Sequence, residues 1–349
     1  MDLSLLRLRS ALFREIRNFF DERGYLEVDT PLLSPDLIPE SCLEVFETLR
    51  LPPRGSRRKE QPYWLIPSPE IWMKKLLAGL GGALAPRDRA PAGIYQICRC
   101  FRNGESSGRH HSPEFTMLEY YSLGKNYRDS AGITEDLFTR ILALAGNPAL
   151  RPPFERISIA GAFSRWAGFD LYRAASLPGG LEAEARRLGL NPAPGLDRGV
   201  LYDLIFVDRV EPALPRDHPV LLTDYPAFVP CLAKKNTGSG AVTGGAATVE
   251  RWELYARGIE LANCYTEETD PRAVREFFRT ETAAREQSAL VKHRVDEEYW
   301  KLFVPCGEEN APGPAGFPPC SGAALGLDRL LMVLTGAPTI DGVLPFPME

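Results

Sequence analysis

No stretch of this 349-residue sequence approaches the roughly 20 consecutive apolar residues that a membrane-spanning helix requires. Met1 leads almost at once into an amphipathic pattern rather than into a basic stretch followed by an apolar one, so a secretory leader is not expected and the cytoplasm is. Paired CxxC spacings are missing as well. The seven cysteines, Cys42, Cys98, Cys100, Cys231, Cys264, Cys306 and Cys320, are odd in number and scattered, which argues against a disulfide framework or a cysteine metal cage and for reduced, mostly buried thiols. A basic excess is also absent: 41 Lys and Arg stand against 46 Asp and Glu, a net charge of -5, so there is no general footprint for nucleic acid, although a local patch is compatible with that balance. Neither an internal repeat nor a clear linker breaks the chain. What is there, 44% hydrophobic and 10% aromatic residues, is an ordinary globular composition with enough length for a large core.

Leu5, Leu8, Leu12, Ile16 and Phe19 recur at three- and four-residue steps before Gly24, which predicts an amphipathic helix over Leu3 to Arg23. "GYLEVDTPLL" reads as a short strand entering a turn at Pro31, and "LPPRGSRRKEQP" as an exposed basic loop. Ser68 and Pro69 supply an N-cap and a first helical residue for "EIWMKKLLAGL". "IYQICRCF" and "EFTMLEYY" are strand-like and flank a loop of Gly, Ser and charge, the pattern of an antiparallel pair with a long tip. Residues 129–200 carry helical patterns and little chemistry. Beyond the small-residue loop "KKNTGSGAVTGGAAT" come the strands "RWELYA" and "GIELANCY", a charged helix from Pro271 to about Val291, and a Gly-rich segment followed by a helix, "SGAALGLDRLLMVLTG". The expectation is one α+β domain built on an antiparallel sheet.

Three segments carry the chemistry. In "CRCFRNGESSGRHHSPEFTMLEYY", period-two alternation puts Gln96, Cys98, Cys100 and Arg102 on one face of the first strand, and Met117, Glu119 and Tyr121 on one face of the second. If the two faces coincide, a guanidinium and a carboxylate look into one cleft, and a loop bearing Arg109 and His110 can close over a polyanion; a solvated hairpin remains the open alternative. In "ERWELYARGIELANCYTEETD", a turn at Ala256-Arg257 or Arg257-Gly258 sets Glu253 and Glu260 on the same face of neighbouring strands, opposite or diagonal. Such a pair either stands exposed or holds a hard cation such as Mg²⁺. Asn263, Tyr265 and Glu267 alternate together further on, with Glu267 able to meet an amine. In "SGAALGLDRL", Gly322 and Gly326 remove side chains where a flat ligand or another backbone comes close, ahead of Arg329.

Together and in this order, these segments resemble the motifs of class II aminoacyl-tRNA synthetases over essentially the whole chain. "FFDERGYLEVDTPLLS" resembles motif 1, "CRCFRNGESSGRHHSPEFTMLEYY" motif 2 and "GAALGLDRL" motif 3, while "PEFTMLEYY" and "GIELANCYTEETD" are similar to the lysyl branch. The resemblance implies an antiparallel sheet flanked by helices, a homodimer through the Leu3 to Arg23 helix and the Pro31 strand, ATP as a substrate and Mg²⁺ as its partner. It further implies that Arg102 and Arg329 act on the phosphates, Arg102 at the α-phosphate and substrate carboxylate and Arg329 at the γ-phosphate. Asn103, Glu105, Arg109, Ser112, Glu260, Leu261 and Gly326 would complete the ATP site, with the Arg109 loop over the adenine and outer phosphates. Ser68, Pro69, Glu70, Glu119, Asn263 and Ala324 would surround the amino acid, Tyr121 and Glu267 would hold its side-chain end, and Glu253 and Glu260 would bind Mg²⁺.

Two features depart from the lysyl pattern. The motif 1 helix starts at the initiator end, so an anticodon-binding barrel is not expected and tRNA is an unlikely partner. Ala324 stands where lysyl enzymes carry Gly, as in the free-standing members of the family that attach β-lysine to a lysine of translation elongation factor P, which makes that protein and β-lysine or lysine the expected partners. Gly104 and Ser112 replace the Glu and Asn usual in the motif 2 loop, which is one residue longer here, leaving Glu105 as the adenine-side acid. A trimmed core that charges tRNA and a non-catalytic regulatory module are the competing expectations.

Overall fold

The computed structural model of the chain describes residues 2–80, 91–104, 109–236, 247–305 and 316–347. Leu3–Glu22 is a helix whose first turn is closed by Asp2, which accepts the Ser4 N–H at 2.8 Å, and Gly24 leaves it in the left-handed region at φ +74°. Its apolar stripe, Leu12, Ile16, Phe19 and Phe20, is fully buried against Tyr25, Tyr95, Leu118 and Tyr120 of the same chain. Phe20 stacks on Tyr95 with ring centroids 4.9 Å apart. The stripe is therefore covered within the chain, so a homodimer through this helix, as the resemblance implies, would have to use its other faces.

An eight-stranded sheet carries the site. Its spatial order is Tyr25–Glu27, Gly93–Phe101, Glu114–Leu123, Cys320–Gly326, Ile259–Thr266, Thr248–Ala256, Val220–Pro226 and Glu155–Ser158. Only the outermost pair on each side is parallel, and the six central strands are antiparallel throughout. The α+β class thus follows from hairpins at the centre with helices packed on the sheet. A second sheet of three short strands, Leu33–Ser34, Glu47–Arg50 and Gln61–Leu65, lies beside it. No helix among the described residues is long and apolar enough to cross a membrane.

Some expectations need correction. The Gly-rich segment before Arg329 is a strand, Cys320–Gly326, in the middle of the sheet, because its small residues pack between Tyr121 and Glu267 rather than turning the chain. Glu155–Ser158 and Val220–Pro226 are strands in a region read as helical or left unassigned; the first is too short to show alternation. The Glu70–Leu80 helix begins one residue later than its Ser68-Pro69 signal, with the Pro69 carbonyl accepting from the Trp72 and Met73 N–H groups. The charged helix ends at Ser288, three residues before Val291.

One buried ion pair ties distant parts of the chain together. Arg9 Nη1 lies 2.5 Å from Asp328 Oδ1, and Arg9 Nη2 donates to Thr116 Oγ1 at 2.6 Å. Asp328 Oδ2 accepts the Thr116 N–H at 2.6 Å. Every charge in the group is matched, and removing one partner leaves an uncompensated buried charge. Arg9→Met should lower the unfolding free energy by about 3 to 5 kcal/mol in urea titrations. A loss below about 1 kcal/mol would place the pair among weak surface contacts.

Candidate active site

The central hairpin has the register that brings its two polar faces together. Gln96 pairs with Glu119 and Cys98 with Met117, so the odd-numbered face of Glu114–Leu123 and the even-numbered face of Gly93–Phe101 are one surface. Ala324 is opposite Glu119 on one side and opposite Asn263 on the other, which extends that surface across two more strands. The turn after Ala256 is made by Arg257 and Gly258, both at positive φ. A bulge at Leu261 then shifts the register, so Glu260 faces Tyr255 and Asn263 faces Glu253. Glu253 and Glu260 are accordingly diagonal neighbours on the cleft face.

Two adjoining cavities of about 330 and 350 Å³ open on this surface. The first is lined by Ser68, Glu70, Glu119, Tyr121 and Glu267. The second is lined by Ser112, Glu253, Glu260, Leu261, Gly326 and Arg329. Arg102, Asn263 and Ala324 border both. Pro69, Asn103 and Arg109 line neither: Pro69 immediately precedes the Glu70–Leu80 helix and accepts from its first turn, Asn103 is engaged with Glu44 and Val45, and the Arg109 carbonyl accepts from Ile340. Glu105 lies outside the described residues.

The first cavity is dominated by carboxylates, with Glu40, Glu70, Glu119, Asp203, Glu267 and Glu281 against Arg102 and Arg251. Behind its wall lies a cation that the residue pattern did not single out. Lys74 is completely buried, its Nζ 2.6 Å from Glu70 Oε1 and 2.5 Å from Glu267 Oε2. Burial opposes its charge, but Glu267 and Glu70 outweigh that and hold it as an ammonium well above the ordinary lysine range. The contact to Glu267 is an ion pair without hydrogen-bond alignment, and Glu267 Oε1 has no donor. Burial pushes Glu267 up to about 8, with Lys74 pulling it down and Glu70 adding to the rise. Glu119 is also driven up, first by burial and then by Glu70, while accepting the Tyr121 hydroxyl at 2.7 Å. Lys74 sits four residues after Glu70 in a helix, and that i,i+4 spacing was the available signal.

In the second cavity, Glu253 is already satisfied: it accepts the Tyr225 hydroxyl at 2.6 Å and the Tyr255 hydroxyl at 2.9 Å, and pairs with Arg251. Arg251 was also missed, although it shares a strand face with Glu253. Glu260 is freer, its side chain 39% exposed and 3.4 Å from Arg329 Nη1. Its position deep in a crowded cleft still raises it, through desolvation first and the Glu253 charge second. Arg329 is anchored by donating to the Glu260 and His110 carbonyls, both at 3.1 Å. Arg102 lies over the Phe115 ring, 5.2 Å from its centroid. No cluster of three or more His, Cys, Asp or Glu suited to a metal occurs among the described residues. The donor set is instead two carboxylates on one cleft face beside Arg329, a set that would suit Mg²⁺ because that ion is commonly held by one or two carboxylates.

Fold and cleft define an amino-acid-activating class of protein, and the family model for class II tRNA synthetases (D, K and N) matches residues 3–349. The chain belongs to that family. Among its relatives, the elongation factor P–(R)-β-lysine ligase of Avibacterium paragallinarum is 35% identical over 347 residues, 99% of this chain and 96% of the relative. The ligase of the same name from Hamiltonella defensa is 35% identical over 349 residues, and that from Pasteurella multocida 33% over 344, each covering 95% or more of both chains.

Gly322 shows how tightly the first cavity is built. A Cβ there would lie 2.5 Å from Glu267 Oε1 and 2.7 Å from Tyr121 Cε1, inside any allowed contact. Gly322→Ala should therefore displace Glu267 and Tyr121 and raise the amino-acid KM at least about tenfold while changing the ATP KM little. Equal changes in both constants would mean that the strand, rather than the cavity, had moved.

Proposed function

We propose that the protein is an ATP-dependent, AMP-forming ligase that activates (R)-β-lysine, or lysine, as an acyl-adenylate and transfers it to a lysine side chain of translation elongation factor P in the cytoplasm. The observation that carries this reading is the carboxylate-rich cavity joined to a phosphate-suited one across Arg102 and Ala324. A substrate with two ammonium groups and one carboxylate suits that gradient: its amines enter the acidic cavity and its carboxylate points to Arg102 at the junction. The names borne by the relatives support the acceptor. A homodimer belongs to the same reading, with Leu26, Leu32 and Leu33 exposed around the motif 1 segment.

In the first step the substrate carboxylate attacks the α-phosphorus of ATP in line and pyrophosphate leaves. Arg102 would hold the carboxylate and α-phosphate together, and Arg329, fixed by two carbonyls, would meet the outer phosphates. Glu260 is the freer holder for Mg²⁺ and Glu253 the one already braced by Arg251 and two tyrosines. When bound, the ion supplies charge neutralisation to the phosphate oxygens. Glu267 and Glu70, kept in place by Lys74, would receive the substrate ammonium groups. In the second step the acceptor amine attacks the mixed anhydride and AMP departs. Pyrophosphate exchange with each lysine isomer, followed by mass analysis of elongation factor P for one added lysyl unit, tests the reading; exchange without any mass gain would refute the acceptor.

Glu260→Gln should raise the Mg²⁺ concentration needed for half-maximal exchange at least about tenfold, since one of two carboxylates is lost. An unchanged Mg²⁺ dependence would remove Glu260 as a holder. Ala324 concerns the isomer. In β-lysine the amine lies one carbon further from the carboxylate, and a methyl at the junction fills the space near the α-carbon. Ala324→Gly should shift the kcat/KM ratio toward α-lysine by at least about tenfold; an unchanged ratio would make the residue a packing element.

A further inference from the structure

The transfer step, taken from the function proposed above, leaves a proton without a destination. A neutral amine that has attacked a carbonyl carbon holds a proton it must shed before the amide is complete. The junction of the two cavities contains one carboxylate among the described residues, Glu40. Of the other carboxylates lining the cleft, Glu70 and Glu267 meet Lys74, Glu119 meets Tyr121, Glu253 meets Arg251, Glu260 meets Arg329, Asp328 meets Arg9 and Glu281 accepts the Ser41 N–H at 2.8 Å, while Asp203 lines the first cavity only, away from the junction. The Glu40 carboxylate makes no hydrogen bond or ion pair among the described residues.

Its backbone, by contrast, is fixed. The Glu40 carbonyl accepts from Arg285 Nη1 at 2.6 Å and from the Leu43 N–H at 3.2 Å. Arg285 also donates to the Leu43 carbonyl, and both it and Glu281 are buried on the Pro271–Ser288 helix. A rigid backbone and an uncommitted carboxylate at the point where acyl group and phosphate meet are what a positioned proton acceptor requires.

We propose that Glu40 is the general base of the transfer step. The acceptor nitrogen, entering as the neutral amine, forms the C–N bond while the C–O bond to AMP breaks. The electron pair of that bond leaves on the AMP phosphate oxygen, and the proton lost by nitrogen passes to Glu40 and then to solvent. Burial pushes Glu40 up to about 7; Glu70 and Glu281 add to the rise, and Arg102 and Lys74 oppose it. The Cys42 thiol beside it, on an exposed residue but pushed up to about 11 by desolvation and then by the Glu40 and Glu281 charges, stays neutral there. A base of that strength is balanced between holding and releasing a proton near neutrality.

Transfer and activation can be measured separately. Glu40→Gln, which also removes one charge from the acidic cavity, should lower pyrophosphate exchange far less than it lowers transfer. Single-turnover transfer from preformed adenylate to elongation factor P should fall at least about 100-fold, the ordinary worth of a general base. Hydroxylamine, a nucleophile that needs little base assistance, should still release the acyl group from the variant. Glu40→Asp should recover part of the loss. In the wild type, the transfer rate should decline as pH falls below about 7, because Glu40 must be ionised to accept the proton, and that limb should vanish in Glu40→Gln. Unchanged transfer in Glu40→Gln, equal loss in both half-reactions, or a wild-type transfer rate flat from pH 6 to 8 would overturn the assignment. A wild-type enzyme that forms adenylate but never modifies elongation factor P would instead overturn the function on which the assignment rests.

Discussion

The contact of Arg9 with Asp328 and Thr116 joins three segments more than 100 residues apart: the first helix, the second strand of the central hairpin and the helix that carries Arg329. None of the three could bury its polar group alone without a large desolvation cost, so each requires the others to be in place. Arg329 belongs to one of these segments, and Arg102 follows the strand paired with another, its N–H donating to the Pro113 carbonyl at 3.0 Å. The geometry of the cleft's arginines is thereby coupled to the closure of the core beneath it.

A second constraint acts inside the cleft. Six acidic side chains around one cavity repel, and the fold counters this with buried cations and hydroxyls rather than with solvent. Lys74 neutralises part of the charge at Glu70 and Glu267, and Arg251 does the same for Glu253. The remaining negative potential would favour a cationic ligand. Incomplete neutralisation leaves the cavity with a sign preference.

Much of this was legible in the residues. Alternation placed Gln96, Cys98 and Cys100 on the face that meets Met117, Glu119 and Tyr121, and the Arg257-Gly258 turn fixed Glu253 and Glu260 on one surface. Both follow from the period-two geometry of strands, which is local. The strand Cys320–Gly326 was not legible as one, since Gly and Ala carry no β signal and its pairing is decided by Tyr121 and Glu267, far away in sequence. Lys74 and Arg251 escaped notice because a cation beside an acid reads as surface charge until burial is known. Glu40 escaped for a different reason: it lies in a segment without regular structure, placed by Arg285 and Glu281 about 240 residues later.

The strand that floors the cleft carries two small residues with opposite freedoms. At Gly322 the neighbouring carboxylate and ring already occupy the space that a methyl group would take. Ala324, two residues on and on the same face, borders open volume on both sides. Divergence within such a scaffold is consequently channelled: the carboxylate and ring beside Gly322 leave that position no room to grow, whereas Ala324 can change size without dismantling them.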